Sequence, residues 1–165
     1  MPERAFQQID VFSQRPGDGN PLGVVLDAQG LSDADMQRFA TWANLSETTY
    51  LLEPTEAGLA AGADYRVRIF SPRGELPFAG HPTLGSCHAW LQAGHQPRVA
   101  GAIVQECSGG FVRIEQSNGL LAFAAPPLQR SAPNPALLAL VTGAPGLRHQ
   151  RLQLVRRVQR FACCL

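Results

Sequence analysis

The sequence predicts an α+β domain, with short strands forming a sheet and two helices packed on it. Three observations carry this reading. The segment Tyr65-Arg66-Val67-Arg68-Ile69-Phe70 alternates apolar and basic residues with the period of a half-buried strand. Ser32 precedes two acids and an apolar set, the signature of a helix start. Asn118-Gly119, the dipeptide that a tight hairpin prefers, sits between two strand-like runs. The 165 residues suit one core, and 45% hydrophobic against 16% charged residues supplies enough apolar material to close it.

Taken in order, residues 6–12 read as a strand, followed by a Gly/Pro-rich loop at 14–21 and a short strand at 24–26, a hairpin-like opening. Ser32 then caps a helix whose first turn carries Asp33 and Asp35, where the helix dipole favours acids, and whose apolar set is Met36, Phe39, Ala40 and Ala43. This helix ends near Asn44. Residues 48–52 are β-branched and aromatic, and in 65–70 Tyr65, Val67 and Ile69 face the core. After the turn at 71–74, Pro82 fits the first turn of a second helix that runs to about Ala93, with Gly94 as its C-cap. Strands at 103–106, 111–116 and 120–124 complete a meander.

From residue 126 the texture changes to scattered prolines and one short apolar stretch, 136–141, able to form a helix. The expected organisation is a domain over 1–125 and a crossover or linker with an atypical tail over 126–165. All 13 acids lie at or before Glu115, so the tail is basic, and residues 147–165 read as the product of a truncation or frameshift.

Composition narrows the partners. The basic residues are all Arg and none is Lys, and clustered Arg with interleaved aromatics is missing, so a nucleic-acid partner is not expected. No apolar run approaches the roughly 20 residues of a membrane span, and the start Met1-Pro2-Glu3-Arg4 lacks the layout of a signal peptide, so a cytoplasmic location is expected. Cys87, Cys107, Cys163 and Cys164 have no metal-type spacing and suit a reduced protein. His81, His88 and His95 recur every seven residues, but Gly94 ends the helix before His95, so no metal is expected. The loop Gly17-Asp18-Gly19-Asn20-Pro21 is followed by a strand rather than the helix a dinucleotide loop requires.

Two motifs carry chemistry. Asn44-Leu45-Ser46-Glu47-Thr48-Thr49 lies where a helix hands over to a strand; its carboxylate is either a solvated loop group or a partly desolvated one, raised in pKa and suited to proton transfer. Phe78-Ala79-Gly80-His81-Pro82-Thr83-Leu84-Gly85-Ser86 leads a small-residue turn into a helix N-terminus, whose free amides form a cradle for a carboxylate. Gly80 permits close backbone approach. His81 either orients or protonates a ligand or caps the helix.

Together with Ile9-Asp10-Val11-Phe12, Gly19-Asn20-Pro21 and Arg68-Ile69-Phe70-Ser71-Pro72, these motifs resemble the N-terminal half of the PhzF family of phenazine-biosynthesis-like isomerases, over about residues 5–125. The run of eleven residues from Glu75 to Gly85 is the most specific part. The resemblance implies a fold like diaminopimelate epimerase, a strongly curved, mostly antiparallel sheet wrapped around a central helix, with the site between two such domains. It implies Glu47 as the catalytic group and Gly80 and His81 as substrate contacts, with Ser46 and Asn20 as walls of the site. The implied chemistry moves a proton from one carbon to another of a small, carboxylate-bearing metabolite without a cofactor. Related epimerases use a cysteine pair whose first member would fall near Ala79, and alanine there fits the glutamate-dependent branch; Cys87 reads as a core residue. An acidic residue and a Gly/Ser-rich segment expected from a second domain do not follow Glu115. Two functions are therefore expected in competition: an isomerase completed by further chain or a homodimer partner, or a catalytically dead single-domain remnant or interaction module.

Overall fold

The computed structural model describes residues 3–125, 134 and 136, and the backbone of the strand at 161–164. Contacts divide the chain into Met1–Ala124 with Arg160–Leu165, and Ala125–Gln159; the fold below is that of the first unit. All but the first residue of the expected helix at 136–141, and most of the tail at 147–165, lie outside the described residues.

The chain runs β1 (Phe6–Val11), β2 (Asn20–Val25), α1 (Asp33–Ala43), β3 (Glu47–Leu52), α2 (Glu56–Ala60), β4 (Tyr65–Ser71), β5 (Gly74–Leu76), α3 (Gly80–Gln92), β6 (Ala102–Cys107), β7 (Gly110–Ser117), β8 (Leu120–Phe123) and β9 (Phe161–Cys164). The strands form one sheet in the order β1-β2-β3-β4-β6-β7-β8-β9. Two pairings are parallel, β2 with β3 across α1 and β4 with β6 across α3, and the rest are antiparallel. The second edge of β4 is divided: Tyr65 and Arg66 pair with β6, and Ile69 to Ser71 pair with β5.

The expected fold class is the one found. Helix α3 packs against β1, β2 and β3 on one side and β6 and β8 on the other, so the sheet wraps around it. Val11, Leu22, Val24, Leu51, Val67, Ile69, Ile103, Ile114 and Leu121 from seven strands close on Leu84, Cys87, Ala89 and Trp90 of this helix. A smaller core lies on the outer face, where Met36 and Ala40 of α1 meet Val25, Tyr50 and Phe70. Alternation along β3 sorts its residues between the layers: Glu47, Thr49 and Leu51 share the α3 side, and Thr48, Tyr50 and Leu52 the α1 side.

Local chemistry sets the element ends. The Ser32 hydroxyl accepts from the Asp35 amide, and Asn44, in the left-handed conformation, stops α1 where the sequence placed its end. Asn118 and Gly119 both have positive φ, as the tight turn between β7 and β8 requires. Four features differ from the sequence expectation, the first being the short strand β5 after the turn at 71–74. Strand β2 begins at Asn20 rather than 24, because Pro21 sits opposite Asp10 in a pairing with β1. The single helical turn α2 follows Thr55, whose hydroxyl accepts from the Gly58 amide and donates to Glu106, a partner distant in sequence. Residues 161–164 pair with β8, which weak periodicity gave no reason to expect.

Gly85 determines how near α3 can lie. A Cβ there would stand 2.5 Å from Leu22 Cδ2 and 2.8 Å from Val11 Cγ2, and both side chains are fully buried with nowhere to retreat. Gly85→Ala gains about 1 kcal/mol of helix propensity, but overpacking costs about 1–3 kcal/mol. A net loss of stability is therefore expected in a denaturant titration, and a gain would show that α3 has room to move outward.

Candidate active site

Three chain segments present the candidate groups at one end of α3. Asn20 opens β2 and stands opposite Val11, on the α3 side of the sheet. Glu47 opens β3 opposite Leu22, on the same side. His81 lies in the first turn of α3. The sequence thus folds so that two strand starts and one helix start converge.

Glu47 Oε2 and His81 Nε2 are 3.2 Å apart, with side chains 18% and 10% exposed. The contact is close enough for an ion pair, yet neither atom has an aligned hydrogen-bond partner among the described residues. Burial pushes the Glu47 carboxyl above its usual range and lowers the His81 imidazole to about 4. Both shifts favour the neutral forms, because desolvation penalises each charge and no hydrogen bond offsets it. A carboxyl poised above its ordinary value can both accept and return a proton near neutral pH.

The other candidates stand around this pair. The Ser46 hydroxyl, exposed at the strand start, donates to Asn20 Oδ1 at 3.4 Å, linking the two segments at the rim. Gly80 is the first residue of α3, and a Cβ there would meet only Phe123, at an ordinary 3.5 Å. Packing therefore does not dictate glycine at this position. Among the described residues no side chain caps the start of α3, so its first amides are suited to an anionic group.

The contacts of several positioning residues are not legible in the local sequence. Asp10 accepts from the Gly17 and Gly19 amides and shapes the loop that delivers Asn20. Gly19 has to be glycine there, since its Cβ would overlap the Val11 carbonyl and the Asp10 carboxylate. Inside the fold, Gln105 accepts from the Tyr65 hydroxyl and donates to Thr83, which donates to the Ala79 carbonyl. Cys87 is fully buried, and burial pushes its thiol up to about 12, so it has no thiolate character. Among the described residues no group of His, Cys, Asp and Glu could hold a metal ion. No helix among them is long and apolar enough to cross a membrane. A cavity of about 420 Å³ between α1 and β1, lined by Phe6, Phe39 and Trp42, lies on the face of the sheet opposite Glu47.

The family described as phenazine biosynthesis-like protein, PhzC-PhzF, matches residues 9–157. The chain belongs to this family. Antisense-enhancing sequence 1 of Schizosaccharomyces pombe is 49% identical over 114 residues, covering 69% of this chain and 37% of that protein. Trans-2,3-dihydro-3-hydroxyanthranilate isomerase of Pseudomonas chlororaphis is 51% identical over 81 residues, covering 49% of this chain and 27% of that protein. The crystal structure of a PhzF-family phenazine biosynthesis protein from Bacillus anthracis superposes with a TM-score of 0.62 at 32% identity, covering 72% of this chain and 39% of that one. The PhzF-family chain thus aligns with roughly a third of the length of its curated relatives.

The two shifts act oppositely on stability. The raised Glu47 pKa contributes stability at low pH that is lost as pH rises through the folded value. The lowered His81 pKa contributes stability above about 6.5 that is lost as pH falls toward about 4, because the unfolded chain takes up the proton first. His81→Asn is expected to remove about 2 kcal/mol of the stability difference between pH 7 and pH 4.5. Denaturant titrations of both proteins at the two pH values check this, and equal pH dependence in the two would mean that His81 is not desolvated.

Proposed function

We propose that this domain supplies the proton-transferring half of an isomerase that acts on a small, carboxylate-bearing metabolite and needs no cofactor for the step. Glu47 takes a proton from carbon: the C–H bond breaks, its electron pair enters the adjacent π system, and the proton moves to the carboxylate oxygen. Glu47 then returns the proton to a different carbon, so the double bond shifts and no atom is lost. His81 lies against the carboxyl and faces the substrate as a neutral ring, while Ser46, Asn20 and Gly80 form the wall along which the substrate lies. The substrate carboxylate sits at the uncapped start of α3. The opposing wall comes from a second domain, in the same polypeptide or in a homodimer partner.

The observation that carries this reading is the buried contact of Glu47 with His81, in which the carboxyl titrates upward from its usual range. Similarity to a protein named trans-2,3-dihydro-3-hydroxyanthranilate isomerase supports the reaction class and supplies a first compound to try.

The test is incorporation of solvent deuterium into trans-2,3-dihydro-3-hydroxyanthranilate and related cyclic amino or hydroxy acids. Glu47→Gln is expected to lower the exchange rate by about 10²-fold or more, the usual scale for removing a general acid or base. Exchange that persists in the folded Glu47→Gln protein would remove Glu47 from the mechanism. A folded, unsubstituted chain that binds such acids without exchanging them would favour the interaction module.

A further inference from the structure

The three elements that bear the site are β2 with Asn20, β3 with Glu47 and α3 with His81. One buried hydrogen-bond chain ties all three together. The Ser86 hydroxyl of α3 donates to Thr49 Oγ1 of β3 at 2.9 Å, and the Thr49 hydroxyl donates to the Gly23 carbonyl of β2 at 3.3 Å. Both side chains are fully buried. Each hydroxyl has a single proton, so the direction of the chain is fixed: the Thr49 proton is committed to Gly23, and Thr49 receives the proton of Ser86.

The chain lies directly behind the site. Thr49 follows Glu47 by two positions on the same side of β3, an advance of about 7 Å. Ser86 follows His81 by five positions of helix, about 7.5 Å along its axis. Strand and helix therefore advance together between two contacts. The inner contact is a closed hydroxyl bond; the outer one is the unaligned meeting of Glu47 and His81. An outer pair with no bond of its own takes its separation from whatever fixes the inner one.

Core filling alone does not call for this chain. An apolar pair of similar volume in place of two hydrogen-bonded hydroxyls is often nearly neutral in stability. Hydroxyls add directionality, holding two elements at one angle and one register where apolar packing tolerates small slides. The neighbouring chain through Tyr65, Gln105 and Thr83 restrains α3 against β4 and β6 and includes no residue of β2 or β3.

We propose that Thr49 and Ser86 are positioning residues whose hydroxyl chain, anchored on the Gly23 carbonyl, sets the separation and aim of Glu47 and His81. The proposal rests on the functional reading of Glu47, but its first test does not.

That test compares Thr49→Val, Thr49→Ser and Ser86→Ala with the unsubstituted chain, each confirmed as folded by circular dichroism, with the His81 ring followed through its pH titration by NMR. Loss of the chain loosens the contact and admits water, so the His81 pKa is expected to rise from about 4 by about one unit in Thr49→Val. Thr49→Ser keeps the hydroxyl and is expected to restore the original titration. An unchanged His81 titration in folded Thr49→Val, or an equal shift in Thr49→Ser, overturns the proposal. If Thr49→Val does not fold, Ser86→Ala carries the same two outcomes. Where deuterium exchange is measurable, Thr49→Val is expected to lower kcat about tenfold with little change in KM, since misplacement acts on the reacting geometry rather than on binding. Loss of exchange in Glu47→Gln with none in Thr49→Val refutes the positioning role and leaves the catalytic reading intact. Persistent exchange in Glu47→Gln refutes the catalytic reading, and the His81 titration still decides the geometry.

Discussion

The approach of α3 to the inner face of β1 and β2 is the constraint on which the rest of this domain depends. Gly85 brings the helix axis close to Leu22 and Val11, and that closeness makes the other contacts of α3 possible. Hydroxyls as short as those of Ser86 and Thr83 can reach partners in the sheet only when the helix lies almost in contact with it. The same closeness draws the first turn of α3 down onto β3 and removes His81 from solvent. One missing methyl group thus has consequences for packing, for buried hydrogen bonding and for the ionisation of a histidine more than a helical turn away.

The electrostatics at the mouth of the sheet follow from this placement. A carboxylate and an imidazolium at 3.2 Å in a well-solvated setting would attract each other and share an ion pair. Here the cost of stripping water from each charge wins, because the two groups are not aligned to hydrogen-bond. The result is a carboxyl and an imidazole that burial biases toward their uncharged forms, so the carboxyl takes up a proton more readily than an exposed one would. The contrast with Arg68 is informative. Its guanidinium reaches both Asp33 and Glu75 with aligned bonds at the outer surface, stays charged, and ties the start of α1 to β5.

Much of this was readable in the sequence where the signals are local. Ser32 and Asn44 bracketed α1 because caps act through neighbouring amides, and Asn118-Gly119 placed its turn because only a few residues accept positive φ. Tyr65, Val67 and Ile69 were assigned to the core by alternation, and they lie there. The convergence of Glu47 with His81 was reached only through the resemblance to a family, since their separation depends on how β3 and α3 pack. Thr49, Ser86 and Asp10 stand inside the motifs, but their contacts are illegible for the same reason. A threonine in a β-branched run and a serine among small helix residues read as ordinary members of their elements until the partner across the core is known. Strand β2 was shortened because Pro21 suggested loop, whereas at this position it pairs within the first hairpin.

The two tryptophans occupy different layers, and this gives the domain two separate optical reporters. Trp90, near the C-terminal end of α3, is 7% exposed and stacks with the rings of Tyr65 and His95 at 5.4 and 5.1 Å. Trp42, on α1, is 78% exposed and touches Phe39 on the opposite face of the sheet. Light emitted by the first follows the seating of the central helix, and light emitted by the second follows the outer surface. With one tryptophan replaced at a time, loosening of the interior can be told apart from events on the outside of the sheet without attaching any label.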